Sequence, residues 1–125
     1  MIHGVGVDII EVDRIRRSVA DLGEKFLERV FTEDELEHCR RHRDPHPHYA
    51  GRFAAKEALV KALSTEAPIS LRDVEVTNDP KGKPVFKVSK KLQILFDEKG
   101  IVRTHLSLSH ERTYAVATVV LEKLA

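Results

Sequence analysis

The residues with the best claim to chemistry are an aspartate, a glutamate and a lysine. Asp8 closes the glycine-punctuated apolar segment Ile2-His3-Gly4-Val5-Gly6-Val7, and Glu57 and Lys61 lie four residues apart in the alanine-rich stretch Tyr49 to Leu63. On a wheel of about 100° per residue, Glu57 and Lys61 fall beside Ala50, Phe53 and Ala54, whereas Arg52 and Lys56 point elsewhere. A carboxylate among apolar neighbours has to be compensated, and two readings do so. Glu57 and Lys61 form a solvated helix-surface pair stabilising by ~0.2–0.5 kcal/mol, or Asp8 and Glu57 together hold a hard cation such as Mg²⁺, with Lys61 offering a point charge to a phosphate.

Other clusters carry less. Ser107-Leu108-Ser109-His110-Glu111 has the residue types of a hydrolase triad, but neighbours on a strand point to opposite faces and cannot align nucleophile, base and orienter. No Gly-x-Ser-x-Gly elbow is present. His110, at a strand end, suits a proton acceptor or phosphate ligand, or else a turn residue without a role. His38, Cys39, His42, His46 and His48 form the densest histidine region, and His38 with His42 have the spacing that clasps zinc on a helix. The HExxH base is missing, and a solvated basic helix end followed by a proline-rich loop explains the same residues.

The elements that must position these groups follow from periodicity. Ile2–Ile9 reads as a strand ended by Asp8, whose glycines admit another backbone at close range. Val12, Ile15 and Val19 mark a short helix bearing Arg14, Arg16 and Arg17, broken at Gly23. Thr32-Glu33-Asp34-Glu35 is a capping box that starts a second helix, which the prolines at 45 and 47 stop. A third runs from about Tyr49 to Leu63. Arg72–Thr77 and Val85–Val88 are strands joined by the turn cluster Asn78–Pro84, and Ser89 caps a helix that stops at Gly100. Val102, Thr104, Leu106 and Leu108 alternate with Arg103, His105, Ser107 and Ser109, and a turn at 110–113 leads to a last strand, Tyr114–Leu121. Short turns between strands, with helices gathered mid-chain, predict an α+β fold with a mainly antiparallel sheet.

Composition narrows the function classes. With 125 residues, and 21 Lys plus Arg against 20 Asp plus Glu, the chain reads as a single domain, 1–125, of net charge +1. Such a balance offers no broad face for neutralising nucleic-acid phosphates. No apolar run approaches the ~20 residues of a membrane span. The lone Cys39 allows no intrachain disulfide, which points to a reducing, cytoplasmic setting.

Three stretches, taken together and in order, resemble the holo-acyl-carrier-protein synthase family of small phosphopantetheinyl transferases. They are Gly4-Val5-Gly6-Val7-Asp8-Ile9 followed by Arg14; Arg52-Phe53-Ala54-Ala55-Lys56-Glu57-Ala58 through Lys61-Ala62-Leu63; and Leu106-Ser107-Leu108-Ser109-His110. Weaker echoes are Phe31-Thr32-x-x-Glu35, Asp73-Val74-Glu75-Val76 and Gly82-Lys83-Pro84. The resemblance implies the 4′-phosphopantetheinyl transferase fold, assembled as a homotrimer with coenzyme A in clefts between subunits. It also implies transfer of 4′-phosphopantetheine from coenzyme A to a serine of an apo acyl carrier protein, releasing adenosine 3′,5′-bisphosphate, in fatty acid biosynthesis.

By the same resemblance, Asp8 and Glu57 are the Mg²⁺ ligands and Lys61 stabilises the phosphoryl oxygens. Arg52, Ser107, His110 and the Gly82-Lys83-Pro84 turn match positions around the nucleotide end of coenzyme A. Lys56 belongs to the signature with a structural or rim role. Glu57, a metal-bound water and His110 are each candidates for the proton acceptor, with a carboxylate or water route favoured. Arg14 matches the carrier-docking position, and Arg17 joins it by helical spacing. Two departures stand out: Ser64-Thr65-Glu66-Ala67 replaces the family's Gly-Ser/Thr-Gly turn, and Leu71 stands where an aromatic is common. Two rival readings are another Mg²⁺-dependent enzyme cleaving the coenzyme A pyrophosphate, and a non-catalytic trimeric binding module.

Overall fold

In the computed structural model, which describes residues 1–125, the strand at the N-terminus is β1 (Ile2–Glu11), two residues longer than the sequence reading because Asp8 does not end it. Asp8 takes the inner face of the pleat with Gly4, Gly6 and Ile10, while Val5, Val7 and Ile9 point outward. Two helices follow, α1 (Val12–Leu22) and α2 (Glu24–Val30), hinged at Gly23 with φ +58°. Helix α2 was missed in the sequence, since its seven residues carry too few apolar positions to show a period.

Helix α3 (Glu33–Arg40) begins with the expected capping box: Thr32 accepts from Glu35 N–H at 3.3 Å, and Thr32 N–H donates to the Glu35 carboxylate at 2.9 Å. Helix α4 (His46–Leu63) starts three residues before the expected Tyr49. Pro47 lies in its first turn, where the missing N–H costs nothing, so this proline starts a helix rather than forbidding one.

Strands β2 (Val74–Asn78) and β3 (Pro84–Val88) form the antiparallel hairpin that the turn cluster predicts. Arg72 and Asp73 lie in a single 3₁₀ turn instead of the strand, because Ser70 and Asp73 cap it reciprocally. Helix α5 (Lys90–Lys99) is capped by Ser89 and ended by Gly100 at φ +72°. The last strands are β4 (Ile101–His110) and β5 (Tyr114–Lys123), and the main sheet is ordered β1-β5-β4, antiparallel throughout. A register shift between Ile101 and Arg103 turns Ile101 inward and leaves Val102 outside, so the expected inward Val102 is exposed.

Helix α4 covers the inner face of this sheet, and small residues set how closely. A Cβ on Gly6 would stand 1.9 Å from the Ala58 carbonyl oxygen, and one on Gly4 would stand 2.0 Å from that of Ala62. On β5 the residues under the helix are Ala115, Ala117, Val119 and Leu121, all buried. From the other side, Lys56 is fully buried and donates to the carbonyls of Val30 and Leu71 and to the carboxylate of Glu35. Glu35 in turn accepts the Val76 N–H at 2.8 Å. One lysine thus ties α4 to α2, α3 and the 3₁₀ turn before β2, with its three donors all used.

Gly6→Ala is expected to cost roughly 3 kcal/mol or more, above the ordinary range for overpacking because the obstacle is backbone that cannot yield. Urea denaturation checks this, and Lys25→Ala, exposed on α2, should change stability by less than about 0.5 kcal/mol.

Candidate active site

The close approach of β1 to α4 brings four of the sequence-predicted residues to one place. Asp8, Arg14 and Glu57 line a cleft of about 180 Å³ together with Ile9, Ile10 and Phe53. Lys61 borders it, donating to Asp8 Oδ1 at 3.1 Å and to the Val7 carbonyl at 3.0 Å. The cation therefore spans from α4 to β1, and the helix-surface pair of Glu57 with Lys61 is not what compensates it. Asp8 is mostly buried, while the Lys61 side chain is 55% exposed on a flexible stem. Burial raises the Glu57 carboxyl above its ordinary value and the Asp8 charge raises it further, with Lys61 and Arg14 pulling the other way. A site with two mutually repelling carboxylates and hard oxygen donors fits a divalent cation such as Mg²⁺.

A second group gathers at the N-terminal half of α4. Arg52 is 6% exposed and donates to Asn78 Oδ1 at 3.2 Å, and Asn78 donates to the Gly82 carbonyl at 2.9 Å. The Gly82-Lys83-Pro84 turn is thereby held beside Arg52, with Gly82 at φ +85°. His110 packs over Gly51, its Cδ2 3.4 Å from where a glycine Cβ would stand. Burial lowers its pKa, and Arg52 and His42 lower it further. Arg52 Nε is buried and has no partner. An unpaired guanidinium N–H costs free energy that an anion, such as a phosphate oxygen, would recover.

Ser107 is not brought into this group within one protomer. It pairs across from Thr118 on the exposed face of the sheet, whereas His110 shares the opposite face with Leu106 and Leu108. Arg14 and Arg17 are both exposed, one turn apart on α1, while Arg16 is drawn off to Asp44 and Asp13. Lys56 is structural, as its burial dictates. Ser64 keeps the helix exit left-handed at φ +50° without a glycine, helped by its hydroxyl donating to the Lys61 carbonyl at 3.0 Å. Sequence reasoning missed Asn78, whose only signal was a place in a turn cluster. It also missed Glu35 as the partner of Lys56, a contact that spans 21 residues.

Helix-borne Glu57 and Lys61 thus face a strand-borne Asp8, on an α+β frame whose helix is locked from behind by a buried lysine. The chain belongs to the 4′-phosphopantetheinyl transferase superfamily, whose sequence model matches residues 4–119. Within it, the chain is similar to holo-[acyl-carrier-protein] synthases. The one from Halothermothrix orenii is 47% identical over 124 residues, covering 98% of this chain and 99% of that protein. The crystal structure of the Neisseria meningitidis synthase superposes with a TM-score of 0.92 at 38% identity, covering 98% of this chain and all of that one. The Helicobacter pylori synthase, solved in complex with coenzyme A, gives a TM-score of 0.83 at 33% identity over 94% of this chain and 99% of that one.

Because Lys61 is more than half exposed, Lys61→Ala should shift stability by no more than the ~0–1 kcal/mol of a surface ion pair. Its kcat should nonetheless fall at least tenfold if the ammonium acts on charge that develops in the transition state. Thermal unfolding and steady-state kinetics read the two effects separately.

Proposed function

We propose that this chain transfers the 4′-phosphopantetheine group of coenzyme A to a serine of an apo acyl carrier protein, with adenosine 3′,5′-bisphosphate as the leaving group, in fatty acid biosynthesis. The observation that carries the reading is the meeting of Asp8, Glu57 and Lys61 across the β1–α4 seam, beside the exposed Arg14. The serine oxygen forms a bond to the phosphorus next to pantetheine while the bridging P–O bond to the nucleotide breaks. Mg²⁺ held by Asp8 and Glu57 would supply charge neutralisation at the pyrophosphate. Lys61 can swing from Asp8 to a phosphoryl oxygen, since its ammonium is exposed and its stem flexible. The Glu57 carboxylate, which lines the cleft, is one acceptor for the serine proton. A water held in the cleft offers a second route.

Arg52, with its unpaired Nε, and His110 are assigned to the phosphates at the nucleotide end, and the Gly82-Lys83-Pro84 turn borders them. Five residues separate Arg52 from Glu57 on α4, a rotation of about 140° at 100° per residue. The two groups thus open on different sides of the helix, and a ligand that needs both is best served by two protomers. The outer face of the main sheet exposes Val5, Val7, Ile9 and Val116, an apolar surface suited to self-association. A homotrimer with coenzyme A between subunits, where Ser107 would meet a neighbour's ligand, follows from the reading. No helix of the structure is long and apolar enough to cross a membrane. The fully buried free thiol of Cys39 is in keeping with a cytoplasmic enzyme.

The direct test is intact-mass analysis of an apo acyl carrier protein incubated with this chain, coenzyme A and Mg²⁺. A gain of one phosphopantetheine mass on the carrier supports the proposal. Loss of coenzyme A with free phosphopantetheine and an unmodified carrier would mean a pyrophosphate-cleaving enzyme, and no consumption at all a binding module. Asp8→Ala and Glu57→Ala should each remove most turnover, with the double variant costing little more than either, because both destroy one site.

Arg14→Glu should raise KM for the carrier several-fold, leave KM for coenzyme A unchanged, and flatten the loss of carrier affinity with added salt. An unchanged carrier KM and salt slope would place the docking surface elsewhere, away from Arg14 and Arg17.

A further inference from the structure

Seven histidines are present, and they divide into two sets. His3 contacts the Leu63 carbonyl, His46 contacts Asp44, and His105 contacts Glu122. The side chains of the remaining four, His38, His42, His48 and His110, make no hydrogen bond within the protein, and they are the four whose rings touch one another. His42 and His48 stack at 3.5 Å, His38 lies 5.4 Å from His42 and 6.4 Å from His48, and His110 lies 4.7 Å from His48. Ring nitrogens of His38, His42 and His48 all lie within 4.8 Å of one another.

This convergence needs explaining, because imidazoles left without partners at a packed surface gain nothing from being clustered, and any protonated pair among them repels. His38 comes from the last turn of α3, His42 from the bend just beyond its end, and His48 from the first turn of α4. Packing anchors the helical two: Cys39, next to His38 on α3, is fully buried in the core, and Tyr49, next to His48 on α4, is buried as well.

We propose that His38, His42 and His48 form a three-histidine site for a borderline divalent transition-metal cation such as Zn²⁺, separate from the carboxylate site of Asp8 and Glu57. Three neutral imidazoles are the donor set that selects such ions over Mg²⁺, which asks for hard oxygen ligands. Zn–N bonds of about 2.0–2.1 Å require the nitrogens to draw in by up to roughly 1.5 Å, and His42 to rotate out of its 10° stack on His48 so that both lone pairs aim at the ion, a movement its exposed side chain is free to make. Three protein ligands leave a fourth position to water, as in open zinc sites. Cys39 and His46, the other members of the region, are excluded by burial and by the Asp44 contact respectively. Since the His48 ring packs against that of His110, an ion here would also restrain a residue of the nucleotide-end group.

The test uses the full-length chain, free of any affinity tag, with Zn²⁺ titrated in competition with a chromophoric chelator and with Co²⁺ as a spectroscopic probe. One Zn²⁺ per chain should bind, and four-coordinate Co²⁺ should give its intense visible absorption. Binding should persist in Asp8→Ala and in His46→Ala. It should weaken at least tenfold in His42→Ala and again in His48→Ala, as losing a ligand costs no less than losing a group that orients one. His42 is exposed, so His42→Ala keeps its fold, which circular dichroism verifies. Zn²⁺ binding lost in Asp8→Ala, binding unchanged in His42→Ala, or no binding by the unmutated chain would each overturn the proposal.

Discussion

The constraint on which this structure rests is the distance between two backbones. Gly4 and Gly6 let β1 lie against the carbonyls of Ala58 and Ala62 at a range no side chain would permit. Because side chains on a strand alternate, Asp8 lands on the same inner face as the two glycines. Because helix neighbours recur every three to four residues, Glu57 and Lys61 stand one position before the alanines that the glycines touch. The contact that packs the fold is therefore also what sets the aspartate against the glutamate and lysine. A strand held off by even one methyl group would separate a 3.1 Å ion pair and open the cleft that both carboxylates line.

On its far side α4 is held by a different kind of force. Lys56 and Glu35 are both without solvent exposure, and desolvation pulls the Lys56 ammonium down from its ordinary pKa while Glu35 opposes the shift. A buried pair of this kind adds little net stability over an apolar pair of like volume, but breaking it costs ~3–5 kcal/mol. Its worth lies in specifying geometry. The lysine fills all three donor positions with acceptors from three separate segments, and Glu35 spends its second oxygen on the Val76 N–H. With glycines fixing one flank of the helix and this network the other, α4 has little freedom to slide. A helix that carries residues of both proposed groups needs that rigidity.

What could be read in the sequence follows the range of the forces involved. The capping box at Thr32, the hairpin turn at 78–84 and the Ser89 to Gly100 helix were legible because each is decided by residues a few positions apart. The close approach allowed by Gly4 and Gly6 was legible in kind, since glycine in a strand has few other uses. Its partner was not. The failures are of two sorts. Pro47 read as a stop but serves as a start, because proline's missing N–H is harmful or harmless according to a helix boundary that tertiary packing decides. Val102 read as inward but points out, because a one-residue register shift reverses the pleat and leaves no local mark.

The candidate site shows the same division more sharply. Asp8, Glu57 and Lys61 were singled out from type and spacing together with a family resemblance, and of the two readings offered for Lys61 the helix-spaced pair with Glu57 is not the contact it makes. Lys61 could reach Glu57 one turn away, yet its ammonium meets Asp8 and the Val7 carbonyl, 53 and 54 positions distant in sequence. The difference matters to chemistry. A lysine paired within its own helix would leave Asp8 bare, whereas the observed contact compensates Asp8 directly and reaches Glu57 only as an opposing charge that burial and the neighbouring aspartate outweigh, so its pKa is raised. Two carboxylates only one strand-to-helix gap apart thus have different environments, one paired with Lys61 and one left among apolar neighbours beside the other's charge, an imbalance that a divalent cation between them would relieve.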